Sequence, residues 1–360
     1  MSVTSLGFSA VVPGNSTRYF ESAEEAKQQR SGAVDVAWDK ANPYLFNAKF
    51  NSDLIQHDSS YCTTVKDLNG CESLPTADYF LSQVGPHVSA EARVVEIGCG
   101  QGEFIRYLSS LSFDAIGFDP ALRHESDNLC RRYWTAEEVP AELYVMRCVL
   151  PHIENPWRFL EEIRRVSPES LVLIEFQRTE WVIDHSIWYM LNHDHVNYFF
   201  VDDFSSRYNV RNQGFFKDGE WAWVLVDFSG LTSHHVTPPV TPPVEQVRKL
   251  GRERDSFKAR LSDWDRPLGV WGAAGKGAVL SSALGDFLPE DLDIFAIDAD
   301  SNRWGKYLEH SGVRILSPEI AMRSMPRDTH ILVANPNHLA EVGATLGGSF
   351  EVAAPLKFQT

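Results

Sequence analysis

A short apolar run, Arg93-Val-Val-Glu-Ile97, ends in Gly98-Cys-Gly-Gln-Gly102, and helical spacing begins at once in Glu103-Phe-Ile-Arg-Tyr-Leu108. This junction narrows the possible folds more than any other stretch of the chain. Glycines at alternate positions let the backbone turn with positive φ and leave no Cβ in the way of a ligand. The helix that follows opens with free N–H groups at the bend. A strand, a tight bend and a helix in this order require a crossover back to a parallel neighbour. The next strand signal, Asp114-Ala-Ile-Gly-Phe118, arrives one helix later.

The alternation continues. Leu143-Tyr-Val-Met146 reads as a strand, Trp157 to Val166 as a helix with Phe159, Leu160, Ile163 and Val166 on one face, and Leu171-Val-Leu-Ile-Glu-Phe176 as a buried strand. Strands separated by helix-length crossovers imply a parallel sheet. In Val236-Thr-Pro-Pro-Val-Thr-Pro-Pro-Val244, four prolines stop any helix or central strand and favour an extended spacer. Beyond it the pattern restarts. A helical stretch from Val244 to Leu261 leads to strand Leu268-Gly-Val-Trp271 and loop Gly272-Ala-Ala-Gly-Lys-Gly277. Strand Leu292–Ile297, a polar turn from Asp298 to Asn302 and strand Thr329–Ala334 follow.

A chain of 360 residues suits two domains. The expected architecture is α/β: a doubly wound Rossmann-like domain followed by a second, smaller Rossmann-like domain. The boundaries read as an N-terminal segment and helical lead-in over 1–85, the first domain over 86–235, the Pro-rich linker over 236–244 and the second domain over 245–360. Residues 1–40 read as polar and irregular.

Charge limits the partners. Lys plus Arg number 33 against 49 Asp plus Glu, a formal net charge of −16. Such a surface repels phosphate backbones and anionic lipids, so neither nucleic acid nor membrane is an expected partner. The sequence holds no apolar run of about 18 residues and no basic stretch ahead of an apolar one near residue 1, which points to the cytoplasm. The five cysteines, Cys62, Cys71, Cys99, Cys130 and Cys148, are odd in number and never in C-x-x-C spacing. That argues against a disulfide framework and a cysteine-rich zinc site, and no metal is expected.

The bend itself indicates its ligand. Glu96 stands two residues before Gly98, and a carboxylate there repels a diphosphate but suits a cationic amino-acid ligand such as S-adenosylmethionine. Asp119, at the end of the next strand, sits where a carboxylate can accept hydrogen bonds from ribose hydroxyls. Glu96-Ile-Gly-Cys-Gly-Gln-Gly-Glu-Phe104 followed by Gly117-Phe-Asp-Pro120 resembles motifs one and two of class I S-adenosylmethionine-dependent methyltransferases. Met146-Arg-Cys-Val-Leu-Pro-His-Ile153 resembles the strand-four segment of the same family. The resemblance implies S-adenosylmethionine as cofactor. Glu96, Gly98 and Gly100 would lie at its methionine moiety with Gly102 completing the bend, Asp119 at the ribose, and Arg147 and Cys148 against the adenosine.

A second concentration of chemistry is Asn192-His-Asp-His-Val-Asn-Tyr-Phe-Phe200. On an extended strand His193 and His195 would share one face and Asp194 take the other. Three readings stay open: two ligands of a metal, a pair capping a helix from Trp181 to Leu191, or a general base whose neutral imidazole takes a proton near neutral pH. The run is similar to the H-E-H-x-x-Y-F segment of sugar-nucleotide C-methyltransferases, which add methyl branches to deoxysugars in antibiotic pathways. By that resemblance His195 is the base and Asp194 replaces a glutamate, while Asn192 replaces a tyrosine. Asp194 or His193 would help polarise an enolate oxygen. Tyr61, in Asp58-Ser-Ser-Tyr-Cys-Thr-Thr64, is the nearest match to a further family tyrosine.

The second domain extends the likeness. Gly269-Val-Trp-Gly-Ala-Ala-Gly-Lys-Gly-Ala-Val-Leu280 resembles that family's G-Y-G-A-x-x-K-G-x-x-L-L loop, and Val333-Ala-Asn-Pro-Asn337 its A-W-N-x segment. The loop's N–H groups and Lys276 form an anion cradle at a helix start, with Gly272, Gly275 and Asn335 expected beside the substrate. The family's usual N-terminal zinc module, built on paired C-x-x-C motifs, has no counterpart in this sequence. The implied activity is C-methylation of a nucleotide-linked keto-sugar or related carbonyl compound. O- or N-methylation of a small natural-product intermediate and a non-catalytic S-adenosylmethionine- or nucleotide-binding scaffold are the alternatives.

Overall fold

The computed structural model describes residues 3–40, 42–57, 73–89, 91–138, 140–229 and 242–357. Its largest sheet has seven strands in the order Asn209–Phe216, Trp221–Asp227, Leu171–Gln177, Leu143–Arg147, Arg93–Ile97, Asp114–Phe118, Leu129–Cys130. From Leu171–Gln177 to Leu129–Cys130 all neighbours are parallel, as the apolar runs require, and the hairpin 209–227 adds two antiparallel strands at the other edge. Helices Ser73–Val84 and Glu103–Ser110 cover one face, where Phe80, Phe104, Ile105 and Leu108 pack on Val94, Val145 and Leu173. Pro156–Val166 and Val201–Ser205 cover the other, where Trp157, Leu160 and Phe204 meet Tyr144, Ile174 and Phe176. The chain runs outward from Arg93–Ile97 in one direction, then returns to Leu143–Arg147 on its other side. That reversal opens a crevice at the strands' carboxyl ends, where doubly wound sheets take ligands.

The second parallel sheet orders its strands Ile315–Leu316, Ile294–Ile297, Leu268–Trp271, His330–Val333, Glu351–Ala353. It has its own reversal, between Leu268–Trp271 and His330–Val333. Helix Lys276–Phe287 begins at the loop after Leu268–Trp271.

Residues 1–40 depart from the sequence reading. Thr4–Pro13 and Ser31–Asp39 are antiparallel strands of a four-stranded sheet completed by Asn42–Asn47 and Asn197–Tyr198. Leu6, Phe8 and Val34 from this sheet share one core with Trp188, Phe257 and Leu280. Tyr19–Phe20 pairs with Tyr307–Leu308. The N-terminal sheet therefore joins the two Rossmann-like units by burying apolar surface from both. Tyr61 and residues 236–241 of the Pro-rich stretch lie outside the described residues. No helix among the described residues is long and apolar enough to cross a membrane.

Candidate functional site

The glycine bend is built as its sequence demands. Gly98 has φ 72° and a Cβ added there would meet Val149 Cγ2 at 2.3 Å, so both backbone angle and space exclude a side chain. The N–H groups of Gly98 and Cys99 donate to the Phe118 carbonyl at 2.8 and 3.2 Å, locking the bend to the next strand end. Asp119 completes the lock, its Oδ2 accepting from the Gly100 N–H at 2.8 Å and its Oδ1 from the Ala121 N–H at 2.7 Å. Burial raises the Asp119 pKa and these two N–H groups oppose it. Each oxygen keeps a second lone pair for a hydroxyl.

The charge around this bend is lopsided. Glu96 is buried, its Oε2 has no hydrogen-bond partner, and its pKa is pushed up to about 8. Burial is the main cause, Arg147 opposes it, and Glu103, Asp119 and Glu175 add to it. Arg147 gives its Nε to Glu175 at 3.2 Å and lays its guanidinium over the Phe104 ring, 5.3 Å from the centroid. Cys148 holds a left-handed backbone, φ 58°, and its thiol donates to Glu175 at 3.3 Å. Arg147 and Cys148 are thus tied first to Glu175. Four carboxylates, Glu96, Glu103, Asp119 and Glu175, face two guanidiniums, Arg147 and the Arg106 that lies 3.8 Å from Glu103, a surplus that favours a cation beside Glu96.

The His-Asp-His run is a bend, with strand pairing starting only at Asn197, so the two imidazoles diverge. The helix before it spans Thr179–Asp184 and is followed by a single turn at Trp188–Met190, leaving no long helix for the pair to cap. His193 is fully buried, with Nδ1 on the backbone of Ala33 and Nε2 on the backbone of Asn51. It stacks on Phe50 at 5.4 Å. The structure gives it a clamping role, because neither ring nitrogen is left to meet a reacting group. Asp194 is also buried, accepting from the Ser16 hydroxyl at 3.2 Å while its Oδ2 has no partner.

His195 meets His152 edge-on, ring centroids 4.8 Å apart. His152, which the sequence reading did not single out, places Nδ1 2.7 Å from the Asp194 carbonyl. A carbonyl only accepts, so Nδ1 carries a hydrogen, and in the neutral ring Nε2 presents the lone pair. His57 continues the row, 6.3 Å from His152, and its Nδ1 lies 3.2 Å from the Tyr133 hydroxyl. Burial, and then the charge of Asp119, raise the Tyr133 pKa. The row therefore leads from Tyr133 to His195. Burial, then His152, hold the His195 imidazolium well below its usual range, with Asp194 opposing and Lys276 adding. A cavity of about 20 Å³, room for one water-sized group, is lined by His195, Gln177, Thr179, Met190 and Asn197.

Two more parts meet here. The loop at Asn15 and Ser16 is buried, and the Ser16 carbonyl accepts from the Gly275 N–H at 3.1 Å while the Asn15 N–H donates to Glu309 at 2.9 Å. Pro13-Gly-Asn-Ser16 marks a turn in sequence, but nothing local places it against Asp194. Lys276 departs from the expectation of a free anion cradle, because its ammonium is ion-paired with Glu220, buried at the end of the 217–220 turn. Asn335 donates to the other Glu220 oxygen at 2.8 Å.

With this geometry in hand, residues 76–214 match the methyltransferase domain family. This segment is a methyltransferase domain. The acid-lined bend fits its cofactor, S-adenosylmethionine, whose cationic groups answer the unpartnered Glu96 oxygen. Among solved structures, the chain is similar to the plantazolicin methyltransferase BpumL in complex with a monoazolic desmethylPZN analogue and SAH, at 19% identity and TM-score 0.28, over 32% of this chain and 50% of that one. The chain thus spans half the length of that structure. It is also similar to Burkholderia thailandensis 1,6-didemethyltoxoflavin-N1-methyltransferase, with bound 1,6-didemethyltoxoflavin and S-adenosylhomocysteine, at 12% identity and TM-score 0.32, over 42% of this chain and 76% of that one. A third is CalO1, a methyltransferase in calicheamicin biosynthesis in its SAH-bound form, at 17% identity and TM-score 0.34, over 44% of this chain and 55% of that one. No curated protein matches the chain.

Proposed function

We propose that the protein methylates a carbon next to a carbonyl, on a nucleotide-linked keto-sugar or a related carbonyl compound. The observation that carries this reading is the His152–His195 pair, 4.8 Å apart, at the end of a row that starts at Tyr133. When bound, S-adenosylmethionine supplies an electrophilic methyl on a sulfonium that departs as a neutral thioether. Glu96 holds the cationic end, Asp119 takes the ribose portion, and Phe104 and Arg147 wall the site.

His195 removes the acceptor's α-proton: the C–H bond breaks, its electron pair passes to the carbonyl oxygen as an enolate, and an N–H bond forms. An imidazole kept neutral by burial is available at pH 7 but holds a proton weakly. It therefore suits an acceptor whose proton loss leaves a stabilised anion beside the ring. His152, its tautomer fixed by the Asp194 carbonyl, offers Nε2 as the next station for that proton. Lys276 and the loop Gly272–Gly275, with Asn335, are the seat for the nucleotide's phosphates.

A second reading, methylation of a hydroxyl oxygen, is favoured by one detail. Asn197 lines the same cavity and its buried Oδ1 has no partner, which suits a hydroxyl donor. The test uses S-adenosylmethionine carrying a ¹³C methyl and a thymidine-diphosphate keto-sugar. Carbon-bound and oxygen-bound methyls separate by chemical shift. His195→Ala is expected to bind S-adenosylhomocysteine as wild type does and to lose methyl transfer at least about 100-fold. Full activity in that variant removes His195 as base.

A further inference from the structure

The crevice at the reversal point of the second parallel sheet is already occupied by a carboxylate. Glu220 enters it from the methyltransferase hairpin, pairing one oxygen with Lys276 and accepting from Gln177 at 3.2 Å and from Asn335 at 2.8 Å. Asn337 donates to the carbonyl of Lys217 at 3.1 Å, which fixes the turn that carries Glu220. Both Glu220 and Lys276 are largely withdrawn from solvent, with 2% and 12% of their side chains exposed. Lys276 opens the helix Lys276–Phe287, and its ammonium and the Asn335 amide converge on this one carboxylate. These are the donors that grip a phosphate.

We propose that Glu220 is an intramolecular stand-in for an anionic ligand: the crevice is a phosphate site of diphosphate class, held closed by this side chain until a diphosphate displaces it. The inference rests on the reading of Lys276 as the phosphate seat. The exchange conserves the donors, because Lys276 and Asn335 trade one set of anionic oxygens for another. Gln177 links the event to the reaction, since it binds Glu220 and also lines the His195 cavity. Release of Glu220 frees the Gln177 amide beside His195.

The test is calorimetric titration of the full-length protein with inorganic pyrophosphate, without S-adenosylmethionine. Its outcome is therefore independent of whether methyl transfer has been observed. Glu220→Gln keeps the size and removes the charge, and is expected to bind pyrophosphate at least tenfold more tightly than wild type. Adding Lys276→Met to it should abolish the gain. Should Glu220→Gln fail to fold, Glu220→Asp keeps the charge but falls one methylene short of Lys276, and is expected to give a smaller gain of about threefold. Equal affinity in wild type and both Glu220 variants, no binding by any of them, or a gain that survives Lys276→Met would each overturn the proposal.

Discussion

The chain builds the same device twice and charges it oppositely. In the methyltransferase sheet Asp119 accepts from the Gly100 and Ala121 N–H groups at 2.8 and 2.7 Å. In the second sheet Asp298 accepts from the Ala273 and Asp300 N–H groups at 2.7 and 2.8 Å. In each, the carboxylate at the end of one strand ties down the glycine bend after its neighbour. Around the first bend the carboxylates outnumber the cations and Glu96 keeps an oxygen without a partner. Around the second every carboxylate named has a cation: Arg303 lies 2.9 Å from Asp298, and Lys276 pairs with Glu220. Backbone geometry alone does not distinguish the two. The surplus of negative charge marks the first bend as a place for a cation, and the internal pairing marks the second as a closed anion seat.

Substituting a glycine in each bend should separate them most sharply. Gly98→Ala faces both a positive φ and the Val149 side chain at 2.3 Å, so S-adenosylhomocysteine binding should fall more than 100-fold, an effect of roughly 3 kcal/mol. Gly275 also has positive φ, 49°, but an added Cβ meets nothing within 4 Å. Gly275→Ala should therefore cost only backbone strain, roughly 3 kcal/mol because its ψ of −104° lies in a region kept to glycine, and leave cofactor affinity within about twofold. Equal loss of affinity in both variants would mean that the second bend also holds part of the cofactor.

The carboxylates give the next contrast. Asp298→Asn leaves Arg303 buried with Asp300 alone, 3.4 Å away, and should cost about 3 kcal/mol in urea denaturation. Asp119 has no cation pair, and Asn retains one of its acceptors for the bend. Asp119→Asn should cost about 1 kcal/mol of stability and show itself in weaker cofactor binding. A stability loss at Asp119 as large as at Asp298 would place Asp119 in the scaffold alone.

Both bends were legible in the sequence because parallel strands, buried on two faces, read as apolar runs ended by glycine. The N-terminal sheet was not. In Thr4–Pro13, Leu6, Phe8 and Val12 are buried at period two, but small Gly7 and Ala10 and the apolar Val11 on the exposed side dilute the contrast, so the alternation does not stand out in the sequence. The histidine run was legible as chemistry and illegible as geometry. His193 is claimed by the backbone of Ala33, 160 residues earlier, and His152 acquires its meaning from the carbonyl of Asp194. Likewise Lys276 carries no sign of Glu220, 56 residues upstream. Local pattern reveals elements and bends, whereas the charge state of a site depends on partners that only tertiary packing brings in.

The mildest test is a pH profile, and its sign follows from Glu96. In the empty protein burial pushes this carboxyl up to about 8, so near pH 7 it is mostly protonated. A bound cation favours the ionised form and lowers that value, so binding S-adenosylmethionine must release a proton. Affinity should rise with pH, by about tenfold per unit between roughly pH 6 and 7.5, and level off above about 8. Calorimetry in two buffers of different ionisation enthalpy counts the released proton directly. Glu96→Gln, unable to ionise, should flatten the profile and abolish the release while leaving pyrophosphate affinity at the second bend unchanged. A wild-type profile that is already flat would mean that Glu96 stays protonated in the complex, and the cation would then have to be held by Asp119, Glu103 or Glu175 instead.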